Sequence, residues 1–245
     1  MQPAVELILF DAVGTLIFPD PPVAVTYQRI GQQFVCETSA EELSNRFREA
    51  FRTSYDPHNP GQPLRTSEAW ELSRWQAIVE SVFFDAPVSA REVIFPALWQ
   101  HFAEPQHWRL FDDVQPTIEG LLERDYRLGI ASNFDQRLLS ICRGHEGLAA
   151  LDPIFISSQV GWSKPSPQFY RQIETITGLA PEQIMFVGDD WENDVNAPRN
   201  LGWQTRWLIR RETVPGVDQV GKLTDLLTEL SEVRRGGVSG QTDPS

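Results

Sequence analysis

Short apolar segments alternate with longer amphipathic segments through most of this chain, and this alternation is the feature that most constrains its fold. The apolar segments are rich in Val, Ile, Leu and Phe and have the length of β-strands. They are VELILF (5–10), RLGIAS (127–132), DPIFIS (152–157), IMFVGDD (184–190) and QTRWLI (204–209). Helix-like segments lie at 117–124, 135–143, 167–177 and 193–200. Strands that alternate with helices predict an α/β protein with a doubly wound parallel sheet, covered by helices on both faces.

Residues 17–105 lack this alternation and have a helical pattern instead. Helices are expected at 23–34, 40–54, 67–84 and 90–103, with Ser39 and Ser67 as N-caps of two of them. We therefore predict a helical cap, inserted after the first strand, over the mouth of the sheet. The predicted domains are a core of residues 1–16 and 106–232, a cap of residues 17–105, and a disordered tail of residues 233–245.

Parallel sheets of this kind bind ligands beyond the carboxyl ends of their strands, and three of the predicted strands end at polar residues there. These residues are Asp11, Ser132 and Asp189. A carboxylate at a strand end can simply stabilise a turn. Alternatively, Gly14 lets the chain leave the strand sharply and Thr15 can hydrogen-bond nearby to hold that turn, so that Asp11 is fixed as a nucleophile.

The segments IASNFD and GWSKPSPQFY contain two further candidates. Ser132 and Asn133 either begin a helix or direct a hydroxyl and backbone N–H groups at an anion. Lys164 precedes a proline and should be extended. It is one of only two lysines among 21 basic residues. It is either a surface charge or a compact ammonium that suits a single phosphate oxygen better than a guanidinium does.

The segment VGDDWENDV places several carboxylates directly after a predicted strand. They belong to Asp189, Asp190, Glu192 and Asp194. Acidic residues are common at helix N-termini. Carboxylates so close together also repel one another unless a cation compensates them, and carboxylate oxygens are ligands that suit Mg²⁺.

Taken together and in this order, the four motifs resemble those of the haloacid dehalogenase-like (HAD) hydrolase superfamily. The resemblance covers nearly the whole chain and implies a Rossmann-like HAD core with an inserted cap. More narrowly, SNFDQRL and GWSKPSPQFY look like the branch called haloacid dehalogenase-like hydrolase domain-containing protein 3.

The resemblance also implies roles for the residues that match. Asp11 takes up the phosphoryl group, while Ser132 and the backbone of Asn133 bind its oxygens. Lys164 balances the charge of Asp11 and the phosphate, and Thr15 belongs to the same catalytic group.

The cofactor that the resemblance implies is Mg²⁺. Its ligands would be the carboxylates of Asp11 and Asp189 and the backbone carbonyl of Val13. Asp194 would be a further ligand or a partner of the ligands, and Asp190 is the less favoured ligand of the adjacent pair. The implied substrate is a small phosphorylated molecule.

Val13 departs from the pattern of the superfamily's phosphatases, which place an acid there to protonate the leaving group and then activate water. General acid–base catalysis contributes typically ~10²–10⁴ in rate. The sequence therefore predicts a phosphatase weakened by Val13. Two alternatives stay open, a metal-independent 2-haloacid dehalogenase and a Mg²⁺- and phosphate-binding protein with impaired catalysis. A phosphonatase would need a cap lysine for its Schiff base, and residues 17–105 contain none.

The net charge, the apolar runs and the cysteine content limit which partners and which cellular compartment are expected. The net charge of −13 argues against non-specific binding to nucleic acid or to anionic membranes. No apolar run is long enough to span a bilayer, and the N-terminus does not read as a signal peptide. We predict that the two cysteines, Cys36 and Cys142, are ordinary buried thiols, which indicates a reducing compartment. We expect a cytoplasmic protein that is a monomer or a weak dimer.

Overall fold

A computed structural model describes residues 5–34, 37–54, 64–210 and 218–235, with the side chains of the last segment up to residue 230. The predictions for Cys36 and for the tail from residue 236 onward lie outside these residues. Cys142 is buried, as expected.

The described residues form eight strands and ten α-helices. The strands are β1 (Leu7–Phe10), β2 (Ile17–Pro19), β3 (Trp108–Leu110), β4 (Arg127–Ser132), β5 (Ile154–Ile156), β6 (Ile184–Gly188), β7 (Gln204–Leu208) and β8 (Gln219–Val220). The helices are α1 (Val23–Gln33), α2 (Ala40–Ser54), α3 (Glu68–Val82), α4 (Val88–His101), α5 (Val114–Leu122), α6 (Arg137–Arg143), α7 (Ser157–Val160), α8 (Pro167–Thr177), α9 (Ala197–Arg199) and α10 (Asp225–Arg235). A π-helical segment, Trp191–Asn196, precedes α9, and short 3₁₀ turns occur at Pro105–His107, Glu146–Leu148 and Pro181–Gln183.

Six of the strands form one parallel sheet in the order β5-β4-β1-β6-β7-β8, which confirms the predicted α/β class. At the centre of the sheet, Phe10 in β1 is in register with Ile130 in β4 and with Val187 in β6. The residues that follow these strands therefore lie at one edge, where Asp11, Ser132 and Asp189 were expected to meet.

Side chains of each strand alternate between the two faces of the sheet, and helices cover both faces. Ile8 and Phe10 pack on the face that also buries Ile118, Ile141 and Leu226, from α5, α6 and α10. The opposite face buries Leu7 and Leu9 with Phe169, Tyr170 and Ile173 of α8. This two-sided burial explains why the strand segments are almost continuously apolar.

Helices α1 to α4 pack around a hydrophobic cluster of their own, which includes Tyr27, Leu43, Val79, Phe83 and Ile94. The N-caps predicted at Ser39 and Ser67 are confirmed, since their hydroxyls accept the backbone N–H groups of Glu42 and Trp70. The domain limits at residues 17 and 105 stay a prediction.

Several elements differ from the sequence prediction. The antiparallel pair β2–β3, which flanks the cap helices, was not expected, nor were β8 and α10. Helix α10 continues through Arg235, into the predicted tail. The helix expected at 193–200 is instead the π-helical segment followed by the short α9. None of the described helices is long and apolar enough to cross a bilayer.

Candidate active site at the strand ends

Asp11 lies at the carboxyl end of β1, with one carboxylate oxygen firmly held. Its Oδ1 accepts hydrogen bonds from Ser132 Oγ at 3.0 Å and from Lys164 Nζ at 2.8 Å. Among the described residues, no hydrogen bond reaches Oδ2. The side chain is therefore fixed through one oxygen, and the other remains available to react or to bind a cation.

Lys164 is the ammonium of this site, and only 2% of the residue is exposed. Besides Asp11, its Nζ donates to Asp194 Oδ1 at 2.7 Å and to the Ala131 carbonyl at 3.2 Å. Burial alone would lower the pKa of Lys164. The charges of the two carboxylates and their hydrogen bonds outweigh burial and raise the pKa above its usual value, so the side chain stays charged.

Asn133 holds the backbone of Lys164 through its side-chain amide. Its Nδ2 donates to the Lys164 carbonyl at 2.9 Å, and its Oδ1 accepts from the Lys164 N–H at 2.7 Å. The predicted role of Asn133 concerned only its own backbone. The paired hydrogen bonds show a second function, which is to fix the segment from which the ammonium extends.

Three carboxylates converge at the strand ends. One ligand atom each from Asp11, Asp189 and Asp194 lies within 4.8 Å of the other two. Asp189 is exposed, and its Oδ1 accepts a hydrogen bond from Thr15 Oγ1 at 2.9 Å. Thr15 therefore binds across to β6, whereas it was expected to hold its own turn. Partial burial of the carboxylate and the charge of Asp11 raise the pKa of Asp189.

Asp194 is the buried member of the cluster, with 1% of the residue exposed. One of its oxygens binds Lys164 and the other accepts the Asp190 N–H at 3.0 Å. Burial raises the pKa of Asp194 to about 7, although the Lys164 ammonium opposes this shift. Both oxygens of Asp194 therefore already accept a hydrogen bond from the protein. The carboxylate of Asp190 caps the following segment, since it accepts the Asn193 N–H at 2.8 Å.

Two glycines are required by the close approach of these carboxylates. Gly14 has a positive φ of 92°, and a Cβ on it would overlap the carboxylate of Asp189. A Cβ on Gly188 would overlap the carboxylate of Asp194.

Arg210 fixes the turn after Asp11 and was missed by the sequence analysis. Its guanidinium donates to the Gly14 carbonyl at 3.3 Å and to the Thr15 carbonyl at 2.6 Å. It also forms two hydrogen bonds to the Asp113 carboxylate, at 3.0 and 2.9 Å, and lies over the Phe111 ring. No local pattern in the sequence distinguishes Arg210 from the other arginines of the chain.

Val13 follows Asp11 by two residues, and 38% of it is exposed. It lines a cavity of about 440 Å³ that also contains Asp11, Ser132, Lys164 and Asp189. The cavity continues into the cap, where α1 to α4 contribute aromatic side chains. The structure thus brings together Asp11, Ser132, Asn133, Lys164, Asp189 and Asp194, with Thr15 beside them.

Hydrogen bonds join the start of α3 and the residues before it to the core next to this site. Glu68, the first residue of α3, accepts the Gln136 N–H at 3.1 and 3.2 Å and also binds the Ser158 hydroxyl. Nearby, Leu64 and Thr66 exchange backbone hydrogen bonds with Ser163 and Gly161, at 2.8 and 3.2 Å. These contacts place the start of α3 directly against the segment that leads into Lys164.

Comparison with known proteins gives the same family as the motifs. Over 203 residues the chain is 27% identical to the bovine (Bos taurus) haloacid dehalogenase-like hydrolase domain-containing protein 3, an alignment that spans 80% of the chain and 79% of that relative. It is 30% identical over 212 residues to the pyrimidine 5'-nucleotidase PynA of Streptococcus pneumoniae, which spans 82% of the chain and 83% of that protein. Among solved structures, an L-2-haloacid dehalogenase superposes with a TM-score of 0.70 at 20% identity, covering 94% of this chain and all of that one. The family model for haloacid dehalogenase-like hydrolases matches residues 5–202, and the chain therefore belongs to this family of hydrolases.

Proposed function

We propose that this hydrolase is a Mg²⁺-dependent phosphatase that acts on a small phosphorylated molecule through an aspartyl-phosphate at Asp11, with turnover weakened by Val13. The observation that carries the proposal is the charge of the cluster. Three carboxylates face one ammonium, which leaves two negative charges in excess when all are ionised. A phosphoryl group could not approach Asp11 against that charge without a further cation.

The donor set fits Mg²⁺. This ion prefers hard oxygen ligands, and the exposed residue Asp189 places a carboxylate oxygen within 4.8 Å of one of Asp11. Asp11 and Asp189, with the Val13 carbonyl, would hold the ion, and Asp194 would support Lys164 or complete the ligands. When bound, the ion would supply charge neutralisation and would polarise the phosphoryl oxygens.

The residues of the chain then have separate tasks. The free carboxylate oxygen of Asp11 attacks phosphorus, and the ester oxygen leaves with the electron pair of the broken bond. Ser132 and Lys164 hold the carboxylate in place and donate to the transferred group. Water then cleaves the aspartyl-phosphate and releases inorganic phosphate. The Val13 side chain can neither give a proton in the first step nor take one in the second.

The test is a calorimetric titration of Mg²⁺ into the wild type and into Asp189→Asn, with Asp112→Asn as a matched control because Asp112 is exposed outside the site. Wild type and control should bind Mg²⁺ alike, and Asp189→Asn should bind at least tenfold more weakly. Hydrolysis of p-nitrophenyl phosphate should require Mg²⁺ in the same proteins. Equal Mg²⁺ binding by all three would refute the metal site.

The missing acid at position 13 also favours a second candidate, a metal-independent 2-haloacid dehalogenase. Expulsion of halide needs no proton donor. Against it, the excess carboxylates would repel a haloacid anion. Release of chloride from 2-chloropropionate without Mg²⁺, together with no phosphatase activity, would select this candidate. Binding of Mg²⁺ and phosphate with neither activity would select the impaired binding protein.

A further inference from the structure

The cavity at the active site has two chemically different ends. The core end contains the carboxylates, Ser132 and Lys164, while the other end is aromatic. The aromatic side chains that line it are Tyr27, Phe47, Phe51, Trp75, Phe95, Trp99, Phe102, Trp108 and Phe134. We call these nine residues the aromatic chamber.

Several rings of the chamber pack against one another. Phe47 stacks with Phe51 and with Trp75, with centroids 5.8 and 6.4 Å apart and interplanar angles of 26° and 22°. Trp108 contacts Phe134 edge-on at 6.0 Å. Mutual packing of this kind limits ring rotation, so the chamber offers a preformed surface for a flat apolar group.

The charged side chains that line the cavity beside the aromatic chamber form ion pairs with one another. Arg137 donates to both oxygens of Asp135 at 2.7 Å, and its guanidinium lies 3.6 Å from the Trp99 ring centroid. Arg74 and Glu71 form a second pair at 3.2 Å. The charged side chains at this end are therefore paired with one another, whereas the carboxylates at the core end outnumber their ammonium.

These features select against polyhydroxylated leaving groups. Each hydroxyl of a sugar or polyol needs a hydrogen-bond partner when it is buried, and those that lie against the nine aromatic rings find none there. An aromatic ring loses nothing by the same transfer and gains stacking contacts. The cavity of about 440 Å³ lies in the range that holds one small-molecule ligand.

Val13 adds an independent constraint on the same substrate. With no acid at this position, the leaving oxygen departs without receiving a proton from residue 13. A phenolic oxygen, with a pKa of about 10, leaves as an anion far more readily than an alkyl oxygen, whose pKa is near that of water at about 16. The geometry of the chamber and the chemistry of Val13 therefore favour the same kind of ester.

We propose that the physiological substrate is an aryl phosphate, a phosphate monoester of an aromatic hydroxyl compound, whose ring binds in the aromatic chamber. This inference rests on the proposed phosphatase function for the position of the phosphate, and it adds the identity of the leaving group. The residues that would determine specificity are Trp75 and Phe51 of the cap, which line the chamber without lying in the buried core.

The first experiment measures binding without turnover. In an Asp11→Asn background with Mg²⁺, 1-naphthyl phosphate and glycerol 3-phosphate are titrated calorimetrically. We expect 1-naphthyl phosphate to bind at least tenfold more tightly. Adding Trp75→Leu or Phe51→Leu should weaken 1-naphthyl phosphate about fivefold or more and leave glycerol 3-phosphate unchanged. Phe84→Leu is the matched control, because Phe84 is 62% exposed outside the cavity and its substitution should change neither affinity.

The second experiment separates this inference from the proposed function. Acetyl phosphate is small, lacks a ring and has a good leaving group, so its Mg²⁺-dependent hydrolysis tests the phosphatase proposal alone. If acetyl phosphate is hydrolysed but the two titrated esters bind equally, the aryl phosphate inference is wrong and the phosphatase proposal stands. If acetyl phosphate is not hydrolysed, the phosphatase proposal is wrong and the inference of an aryl phosphate substrate fails with it, and selective binding of 1-naphthyl phosphate would then show only that the cavity binds aromatic rings. Equal losses for both esters in the folded Trp75 and Phe51 variants would also overturn the inference.

Discussion

Replacement of Lys164 by Met is the sharpest perturbation that the site offers. The change keeps a flexible side chain of similar length and removes the ammonium that binds both Asp11 and Asp194. Lys222, the only other lysine in the chain, is exposed, so Lys222→Met provides a control with the same chemistry.

The expected magnitude follows from burial. Asp11 is 9% exposed and Asp194 is 1% exposed, so both carboxylates lose their compensating charge with little access to solvent. Removing one partner of a buried ion pair costs roughly 3–5 kcal/mol of folding free energy. Since the pKa of Asp194 is already raised to about 7, this carboxyl can take up a proton and limit the loss. We therefore expect a destabilisation of about 3 kcal/mol at neutral pH, near the lower end of that range.

The pH dependence has a definite sign. Without Lys164, the folded-state pKa of Asp194 rises further above the unfolded value, so the folded state binds a proton that the unfolded state does not. Stability of the variant then falls as pH rises through that window. The difference between Lys164→Met and wild type should be larger at about pH 7.5 than at about pH 5.5 when both are measured by urea denaturation.

Ligand binding gives the second measurement. Beryllium fluoride, a phosphate analogue, should bind Lys164→Met at least tenfold more weakly in the presence of Mg²⁺, and Mg²⁺ itself should bind more weakly near neutral pH because it competes with protons. Lys164→Arg should also impair analogue binding, since the wider planar guanidinium does not fit the space that the Lys164 side chain occupies, in which only 2% of the residue is exposed. Unchanged stability and analogue affinity in both Lys164 variants would refute the reasoning.

Three further predictions concern residues around the site. Arg210→Met should cost about 2 kcal/mol in urea denaturation and reduce phosphatase activity, because the turn carbonyls and Asp113 lose their donor. Gly188→Ala should lower the melting temperature and Mg²⁺ affinity together, since the new Cβ displaces the Asp194 carboxylate. Burial lowers the pKa of His101 to about 4, so the folded state favours the neutral ring. The free energy of unfolding should therefore fall by at most ~3 kcal/mol as the pH is lowered from 6.5 towards 4. Urea denaturation should show a smaller fall over this pH range for His101→Gln than for wild type.

The sequence predicts the site well where parallel-sheet topology alone decides the position of a residue. Asp11 and Asp189 directly follow apolar strands and Ser132 ends one, so all three lie at the carboxyl edge of the sheet, and they meet because β4 and β6 flank β1. Lys164 was identifiable by the scarcity of lysine in the composition. In each case a local pattern was sufficient.

The remaining contacts depend on geometry that no local pattern encodes. The amide of Asn133 holds Lys164 from 31 positions away, and Arg210 reaches Thr15 across 195. The strands β2 and β3 have three residues each, which is too short for an alternation to be detected, and β2 ends at a proline. The aromatic chamber draws its rings from all four cap helices and from the core, so the cavity forms only when all of these elements are packed together.

The absence of an acid at position 13 affects the two halves of the proposed reaction unequally. An aromatic leaving group makes the first half easier, because a phenolate can leave the phosphorus atom without taking up a proton as Asp11 attacks. Nothing in the leaving group helps the second half, where water must attack the aspartyl-phosphate without a general base at Val13. Dephosphorylation should therefore limit turnover. We expect aryl phosphates with different leaving groups to share one kcat and to release phenol in an initial burst of about one equivalent per enzyme. Val13→Asp should raise kcat and diminish the burst. A kcat that follows leaving-group acidity across the series, with no burst, would show that phosphoryl transfer to Asp11 is the slow step and that another group replaces the missing base.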